Sequence, residues 1–149
     1  MPNHYHLLLQ PKIEGGISLF MKKLGVAYTK HVNKTYQRSG HAFQSGYQAK
    51  LINNDGYLLH ISRYIHLNPL SLIEPDWEQR GVLNLSGSMV FLEEYPWSSY
   101  KSWLGKNHFL KIFDPALARM QSGINHAEFI QGWLKYRGPT SEVGPRYGL

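Results

Sequence analysis

The chain of 149 residues has no cysteine, and none of its apolar runs approaches the roughly 20 residues that a membrane-spanning helix needs. Without cysteine there are no disulfides and no cysteine zinc site, and the composition suits a reducing cytoplasm. No basic segment followed by an apolar one opens the chain as a signal peptide would. We therefore expect a cytoplasmic protein without a membrane anchor, long enough to bury a proper core.

Acidic residues are scarce in the first half of the chain. Residues 1–70 contain eight basic and two acidic residues, whereas residues 71–149 contain eight of each. The whole net charge of +6 therefore falls in the first half. A basic excess confined to one part of a chain favours an anionic partner there, and the alternative is a solubilising surface.

Two histidines separated by one residue, His4 and His6, lie near the start of the chain. Residues 3–10 alternate in a way that predicts a strand, and the period of two places both imidazoles on one face. Two imidazoles on one face can bind a metal ion. The alternative is a pair of half-exposed polar residues.

A second candidate group lies on the helix predicted over residues 55–68. Tyr64 and Asn68 are separated by four residues, so a phenol and an amide share one face of this helix. Pro69 disfavours helical geometry at Asn68, which predicts a helix end there with the Asn68 side chain free of interior packing. With the histidine pair, this face would supply two nitrogen ligands, one oxygen ligand and a nucleophile.

A basic helix is predicted over residues 17–36, with an apolar stripe on one side and Lys23, Lys30 and Lys34 on the other. An irregular strand is predicted over 41–52. Binding of unpaired nucleic acid needs cations for phosphates and flat side chains for bases. The lysines supply the first, and a group of aromatic residues, taken as partly core, supplies the second: Tyr28, Tyr36, Phe43 and Tyr47.

The rest of the chain reads as short helices and loops. Residues 70–85 show little periodicity and predict a loop, residues 88–92 a short helix, and residues 95–105 a lead into a helix that stops at Gly105. Asp114-Pro115 has the pattern of a helix start. Asn125 with Glu128 forms a capping-box pattern that predicts a closing helix.

These residue types suit the cleavage of a phosphodiester. A divalent ion held by His4, His6 and the Asn68 oxygen would keep open positions for phosphate oxygens. Amide and phosphate oxygens favour Mg²⁺ or Mn²⁺, whereas two imidazoles alone lean towards zinc or nickel. A tyrosine with a reference pKa of about 10 needs help to attack at neutral pH. His60 and His66 are either its proton acceptors or packing residues.

Four motifs in the same order over residues 1–105 resemble the REP-associated tyrosine transposases, within the single-tyrosine HUH transposases of the insertion-sequence-200 kind. The motifs are His4-Tyr5-His6, residues 40–50, residues 63–69 and residues 95–100. The resemblance implies an α/β (α+β), ferredoxin-like HUH catalytic core over residues 1–105. A helical extension over 106–137 and a flexible tail over 138–149 would follow.

The resemblance also implies an activity. Such enzymes are transposases that act as metal-dependent endonucleases and strand transferases on single-stranded or hairpin DNA. Carried over, Tyr64 would attack the scissile phosphate and form a 5′-phosphotyrosine, and Mg²⁺ or Mn²⁺ would be held by His4, His6 and Asn68. The residues expected to contact DNA are Lys23, Lys30, Lys34, Arg38, Lys50 and Arg63.

Members of the family carry a strand and a helix before the histidine motif. We therefore expect a core truncated at its N-terminus, lacking its first strand and helix, or a sheet completed by a second copy in a homodimer. An alternative function is a catalytically inactive, single-stranded DNA-binding remnant of a transposase. A metal-dependent hydrolase of small substrates is disfavoured because the candidate site has no acidic ligands.

Overall fold

The computed structural model describes residues 3–106, 114 and 125–136. The chain divides into two compact units, which we call the long-helix unit (residues 7–53) and the core unit (residues 1–6 and 54–149). The described α-helices are α1 (Gly16–Thr35), α2 (Asp55–Leu67), α3 (Trp77–Arg80), α4 (Leu85–Glu94), α5 (Tyr100–Trp103) and α6 (His126–Tyr136). A 3₁₀ helix, Asn68–Leu72, continues α2.

The predicted α/β, ferredoxin-like core is wrong for the part of the chain that the structure describes, because this part is helical and contains no strand. Residues 3–10 and 41–52, both predicted as strands, have no regular secondary structure. Alternating side chains make a strand only where a second strand completes the hydrogen-bonded ladder. Among the described residues no such ladder forms, and Tyr5, Leu7 and Leu9 are exposed.

The long-helix unit is built on α1. The helix begins after Gly15, whose φ of 68° suits glycine, and ends at Thr35, so the prediction of a helix over 17–36 is confirmed. Segment 41–50 contacts this helix at two points. The Tyr28 and Phe43 rings lie 5.3 Å apart, and the hydroxyls of Ser18 and Tyr47 are 3.1 Å apart.

The core unit is organised around α2 and its 3₁₀ continuation. The Asn54 side chain caps the helix by accepting a hydrogen bond from the Tyr57 N–H at 2.8 Å. The α-helix ends at Leu67, which confirms the helix predicted over 55–68. The buried cluster of this unit consists of Leu67, Leu70, Trp77, Leu92, Tyr100, Ile130 and Leu134.

Segment 70–85, predicted as a loop, is more ordered than expected. It contains the end of the 3₁₀ helix and the short α3, whose Trp77 lies in the core. Glu74 accepts hydrogen bonds from the Leu83 N–H at 2.7 Å and from the Ser88 hydroxyl at 3.0 Å. A four-residue helix has no periodicity to detect, so its order depends on these tertiary contacts.

Three predicted features of the second half are confirmed. Helix α4 covers the predicted residues 88–92, and α5 is followed by Gly105 at a φ of 74°. The Asn125 side chain caps α6 by accepting from the Ala127 N–H at 3.0 Å. The helix predicted to start at Pro115 and the tail over 138–149 lie outside the described residues. The predicted domain boundaries stay predictions.

In the described ranges, no helix combines the length and the apolar character that a crossing of the bilayer would require.

Candidate active site

The core unit brings together the histidine pair and the tyrosine that the sequence singled out. The rings of His4 and His6 are edge to face, with centroids 5.1 Å apart. The His6 ring in turn lies edge to face with that of Tyr64, at 5.5 Å between centroids. Two segments separated by more than fifty residues therefore meet, with the tyrosine beside the second histidine.

Asn68 lies at the C-terminal end of α2, one turn after Tyr64. The prediction that its side chain would be free of interior packing is wrong, since Asn68 is only 5% exposed. The 3₁₀ helix that begins at Asn68 continues into the core, and Pro69 and Leu70 are also buried. A proline after Asn68 predicts the end of an α-helix but not the burial of the residues around it. The buried Asn68 Oδ1 has no hydrogen-bond partner in the structure.

The second buried atom without a hydrogen-bond partner at this site is Nε2 of His6. Burial, and then the charge of His4, lower the pKa of His6, which keeps its ring neutral at neutral pH. The Nδ1 atom of His4 is 2.8 Å from the Asn3 Oδ1, so this side chain orients the first ring. Neutral imidazoles with lone pairs available are the form in which histidine binds a metal ion.

The residues present fit a divalent cation. Buried polar atoms without a partner are costly, and a ligand is one of the few ways to satisfy them. In the described ranges, no group of three or more histidine or acidic side chains is arranged to hold a metal ion. An ion next to His4 and His6 would therefore depend on the Asn68 oxygen as its third protein ligand. This ligand set stays a prediction.

The environment of Tyr64 favours its protonated form. Burial raises the pKa of Tyr64, the charge of Glu78 raises it further, and a hydrogen bond from the Asn68 side chain acts in the opposite direction. The phenol therefore carries its proton at neutral pH, and attack requires that the proton be removed as the bond forms. Glu78 lies on α3, and no sequence pattern connects it to Tyr64.

The two histidines considered as proton acceptors have other contacts. Nδ1 of His66 is 2.9 Å from the His126 Nε2, and Nε2 of His66 is 3.0 Å from the Ser99 hydroxyl. Nδ1 of His60 is 2.9 Å from a guanidinium nitrogen of Arg63. His66 is thus a packing residue, with both ring nitrogens engaged away from Tyr64.

Comparison with known proteins identifies the first part of the chain. Residues 1–68 match the family model described as "Transposase IS200 like". The match covers 68 of the 149 residues, so the likeness to IS200-like transposases is a property of this segment. No curated protein and no solved structure matches the chain. The resemblance read from the sequence is confirmed at the level of the family, and the match supports a transposase role and a DNA-processing enzyme.

The transposase segment contains all four candidate site residues, since it extends to Asn68. It also contains every residue predicted to contact DNA. Lys23, Lys30 and Lys34 are exposed along one side of α1, and Lys50 is exposed in the coil after it. Arg38 is exposed, and its guanidinium donates to the His41 carbonyl at 2.6 Å. These five residues belong to the long-helix unit.

Arg63 differs from the other predicted DNA contacts. It is 7% exposed, and its guanidinium carbon lies 3.4 Å from the centroid of a Trp133 ring. No local sequence pattern predicts this packing, because Trp133, the aromatic partner of Arg63, lies seventy residues away along the chain. The position of Arg63 argues against the predicted DNA contact and for a role inside the core unit.

Proposed function

We propose that this IS200-like transposase is a metal-dependent endonuclease and strand transferase for single-stranded DNA, with Tyr64 as its nucleophile. The observation that carries the proposal is the position of Tyr64 beside His6 and one turn from Asn68. Nε2 of His6 and Oδ1 of Asn68 are both buried and without hydrogen-bond partners. A nucleophile next to two available ligand atoms suits the cleavage of an anionic ester.

The proposed reaction has the following steps. Tyr64 Oη attacks the scissile phosphorus, the bond from phosphorus to the 3′ oxygen breaks, and a 5′-phosphotyrosine and a free 3′-hydroxyl result. The phenolic proton is lost to solvent, and the departing 3′ oxygen gains one. Attack by the 3′-hydroxyl of a second strand reverses these steps and joins the strands. One phosphodiester is exchanged for another, so no ATP is required.

Each site residue has a role in this scheme. His4, His6 and the Asn68 Oδ1 would hold Mg²⁺ or Mn²⁺, which when bound stabilises negative charge on the phosphate oxygens. Asn68 has a second role, because its hydrogen bond to Tyr64 favours the phenolate that develops during attack. One asparagine therefore connects the metal ligands to the nucleophile.

The test is covalent capture of DNA. The full chain is incubated with labelled, hairpin-flanked single-stranded DNA and Mn²⁺ or Mg²⁺, and adducts that survive denaturation are counted. We expect an adduct that requires the metal and disappears in Tyr64→Phe. Tyr57→Phe, two turns earlier on α2, is the matched control and should retain it. Absence of an adduct, or its persistence in Tyr64→Phe, would contradict the proposal.

The metal ligands are tested separately by titration of Mn²⁺ in the absence of DNA. His6→Ala and Asn68→Ala should each weaken Mn²⁺ binding about tenfold or more, because each removes one of three protein ligands. His31→Ala is the matched control, since His31 is exposed on α1. If His6→Ala and Asn68→Ala bind Mn²⁺ as tightly as His31→Ala and the wild type, the two residues are not metal ligands.

The exposed lysine side of α1 favours a second candidate, a catalytically inactive protein that binds single-stranded DNA. The five exposed residues predicted to contact DNA belong to a different unit from Tyr64, so DNA binding by them does not require the tyrosine. This function predicts salt-sensitive binding that is indifferent to Mn²⁺ and to His4→Ala. A metal-dependent adduct would exclude it.

A further inference from the structure

Helix α2 makes different contacts on two of its sides. Tyr64 and Asn68 lie on the side of the histidine pair, whereas Arg63 and His66 contact α6. We propose that α6 is the positioning element of the enzyme, because it fixes the orientation of α2 and thereby of Tyr64. This inference rests on the proposed function and assigns a role to a helix outside the segment 1–68 that matches the transposase family.

The first attachment is the stacking of Arg63 against aromatic rings of α6. Its guanidinium carbon lies 3.4 Å from the centroid of a Trp133 ring and 5.1 Å from that of Phe129. A guanidinium nitrogen also lies 2.9 Å from the Nδ1 of His60 on the preceding turn. A planar cation stacked on one side and hydrogen-bonded on another has little freedom to rotate. Arg63 directly precedes Tyr64, so fixing one restrains the other.

The second attachment is a buried pair of histidines. Nδ1 of His66 is 2.9 Å from the His126 Nε2, and both residues are almost completely buried. The Trp103 ring packs on His126 at 4.3 Å between centroids, and the Ser99 hydroxyl lies 3.0 Å from the other nitrogen of His66. This polar contact has a defined geometry, which apolar packing alone does not impose.

The spacing of these residues shows that the two attachments form one interface. Arg63 and His66 are three residues apart on α2, so they share a face. His126, Phe129 and Trp133 follow the same rule on α6, at intervals of three and four. Two contacts along one pair of helices prevent α2 from turning about its axis, which a single contact does not.

Rotation of α2 about its axis would move the phenolic oxygen of Tyr64 away from the phosphate that it attacks. An in-line attack requires the phenolic oxygen close to the phosphorus and correctly aligned, and a displacement of about 1 Å costs on the order of a hundredfold in rate. Binding of DNA along the lysines does not depend on this orientation. Loosening α6 should therefore slow the chemical step and leave affinity for DNA unchanged.

The experiment replaces Trp133 in the full chain. Trp133→Leu removes the stacking surface for Arg63, and we expect the single-turnover rate of adduct formation to fall by about tenfold to a hundredfold. The dissociation constant for DNA should not change, whereas Mn²⁺ should bind more weakly, because Asn68 moves with α2. Trp133→Phe keeps an aromatic face and should restore most of the rate. Lys135→Gln, at an exposed position of the same helix, is the matched control and should behave like the wild type.

A second readout does not require activity. With labelled tyrosine and histidine, nuclear Overhauser contacts between Tyr64 and His6, whose ring centroids are 5.5 Å apart, report the orientation of α2. We expect these contacts to weaken in Trp133→Leu and to remain in Lys135→Gln. If the wild type forms no adduct and the contacts still weaken, the proposed function fails while the positioning role of α6 stands.

A second variant keeps the proposal testable if Trp133→Leu does not fold. If circular dichroism shows that Trp133→Leu does not fold, Arg63→Lys makes the same test, since it keeps the charge and loses the planar stacking group. An unchanged rate with unchanged Tyr64–His6 contacts in the folded variant would overturn the proposal. So would a rate loss matched by equal losses of DNA affinity and helical content, because these indicate general damage.

Discussion

The long-helix unit and the core unit use helices of similar amphipathic sequence in different ways. Met21 is the only buried residue between positions 7 and 53, whereas the core unit buries a connected cluster from six of its helical segments. Apolar side chains of α1 such as Leu19, Phe20 and Val26 are close to half exposed. The comparison teaches that a 3.6-residue period creates an apolar face, and only a second element buries it.

The units also differ in how they use polar groups. In the core unit, His66, His126 and Arg63 are buried and engaged with one another or with aromatic rings. In the long-helix unit, the lysines of α1 are exposed. The first arrangement fixes side chains in one geometry, as chemistry requires, and the second presents charge, as binding of DNA requires.

The largest expected effect comes from the same substitution made in each unit. Leu67→Ala, at a position 1% exposed, should lower the free energy of unfolding by about 2–5 kcal/mol, because it leaves a cavity in the core. Leu19→Ala, at a position 49% exposed, should cost less than about 1 kcal/mol. Urea unfolding followed by circular dichroism measures both. Equal costs would show that α1 is buried in solution.

Acid should destabilise the core unit selectively. Burial and contact with His126 lower the pKa of His66 to about 3, and burial lowers the pKa of His126 to about 4. Between about pH 6.5 and pH 4 the unfolded chain binds protons that the folded unit excludes, so the free energy of unfolding falls as the pH falls, by at most about 1.4 kcal/mol per pH unit for each histidine.

All four tryptophans, Trp77, Trp97, Trp103 and Trp133, lie in the core unit, so their fluorescence during urea unfolding reports this unit alone. In His126→Gln the dependence on pH should become shallower, since one of the two titrating groups is removed. A wild-type profile that is flat between pH 6.5 and pH 4 would contradict the prediction.

Removing positive charge from α1 tests whether its lysines contribute to DNA binding alone or also to adduct formation by Tyr64. Replacing Lys23, Lys30 and Lys34 together by Gln should weaken binding of single-stranded DNA and reduce the slope of log affinity against log salt by about 2, since each phosphate contact contributes about 0.7. Fluorescence anisotropy at several salt concentrations measures the slope. At saturating DNA the adduct rate should stay unchanged, and a parallel loss would place the lysines in the chemical step.

The smallest expected effect concerns a helix cap of the core unit. Asn54→Ala removes the side-chain acceptor for the Tyr57 N–H and should cost about 1 kcal/mol, because an N-terminal donor of α2 loses its partner. Asn54→Ser should recover most of this loss, since serine is also a good cap. Tryptophan fluorescence during urea unfolding checks both values. A cost near zero would mean that the start of α2 frays.

Structural features that depend on neighbouring residues were predicted correctly from the sequence, and features that depend on residues far apart in the chain were not. Helices α1, α2 and α6 could be predicted because period, caps and breaks act within a few residues. The strands at 3–10 and 41–52 were predicted wrongly, since pairing depends on a distant partner. The burial of Asn68 was missed for a related reason. Its position at the end of a helix is a local property, whereas the packing around it is not.

The sequence by itself determined the family of residues 1–68, the four candidate site residues and the basic character of the first half. Those properties reside in residue types and their spacing. Only the tertiary structure decided that Nε2 of His6 and Oδ1 of Asn68 are buried without hydrogen-bond partners, that the charge of Glu78 raises the pKa of Tyr64, and that Arg63 stacks on Trp133. The physical reason is that burial and electrostatic environment arise between residues far apart in the chain.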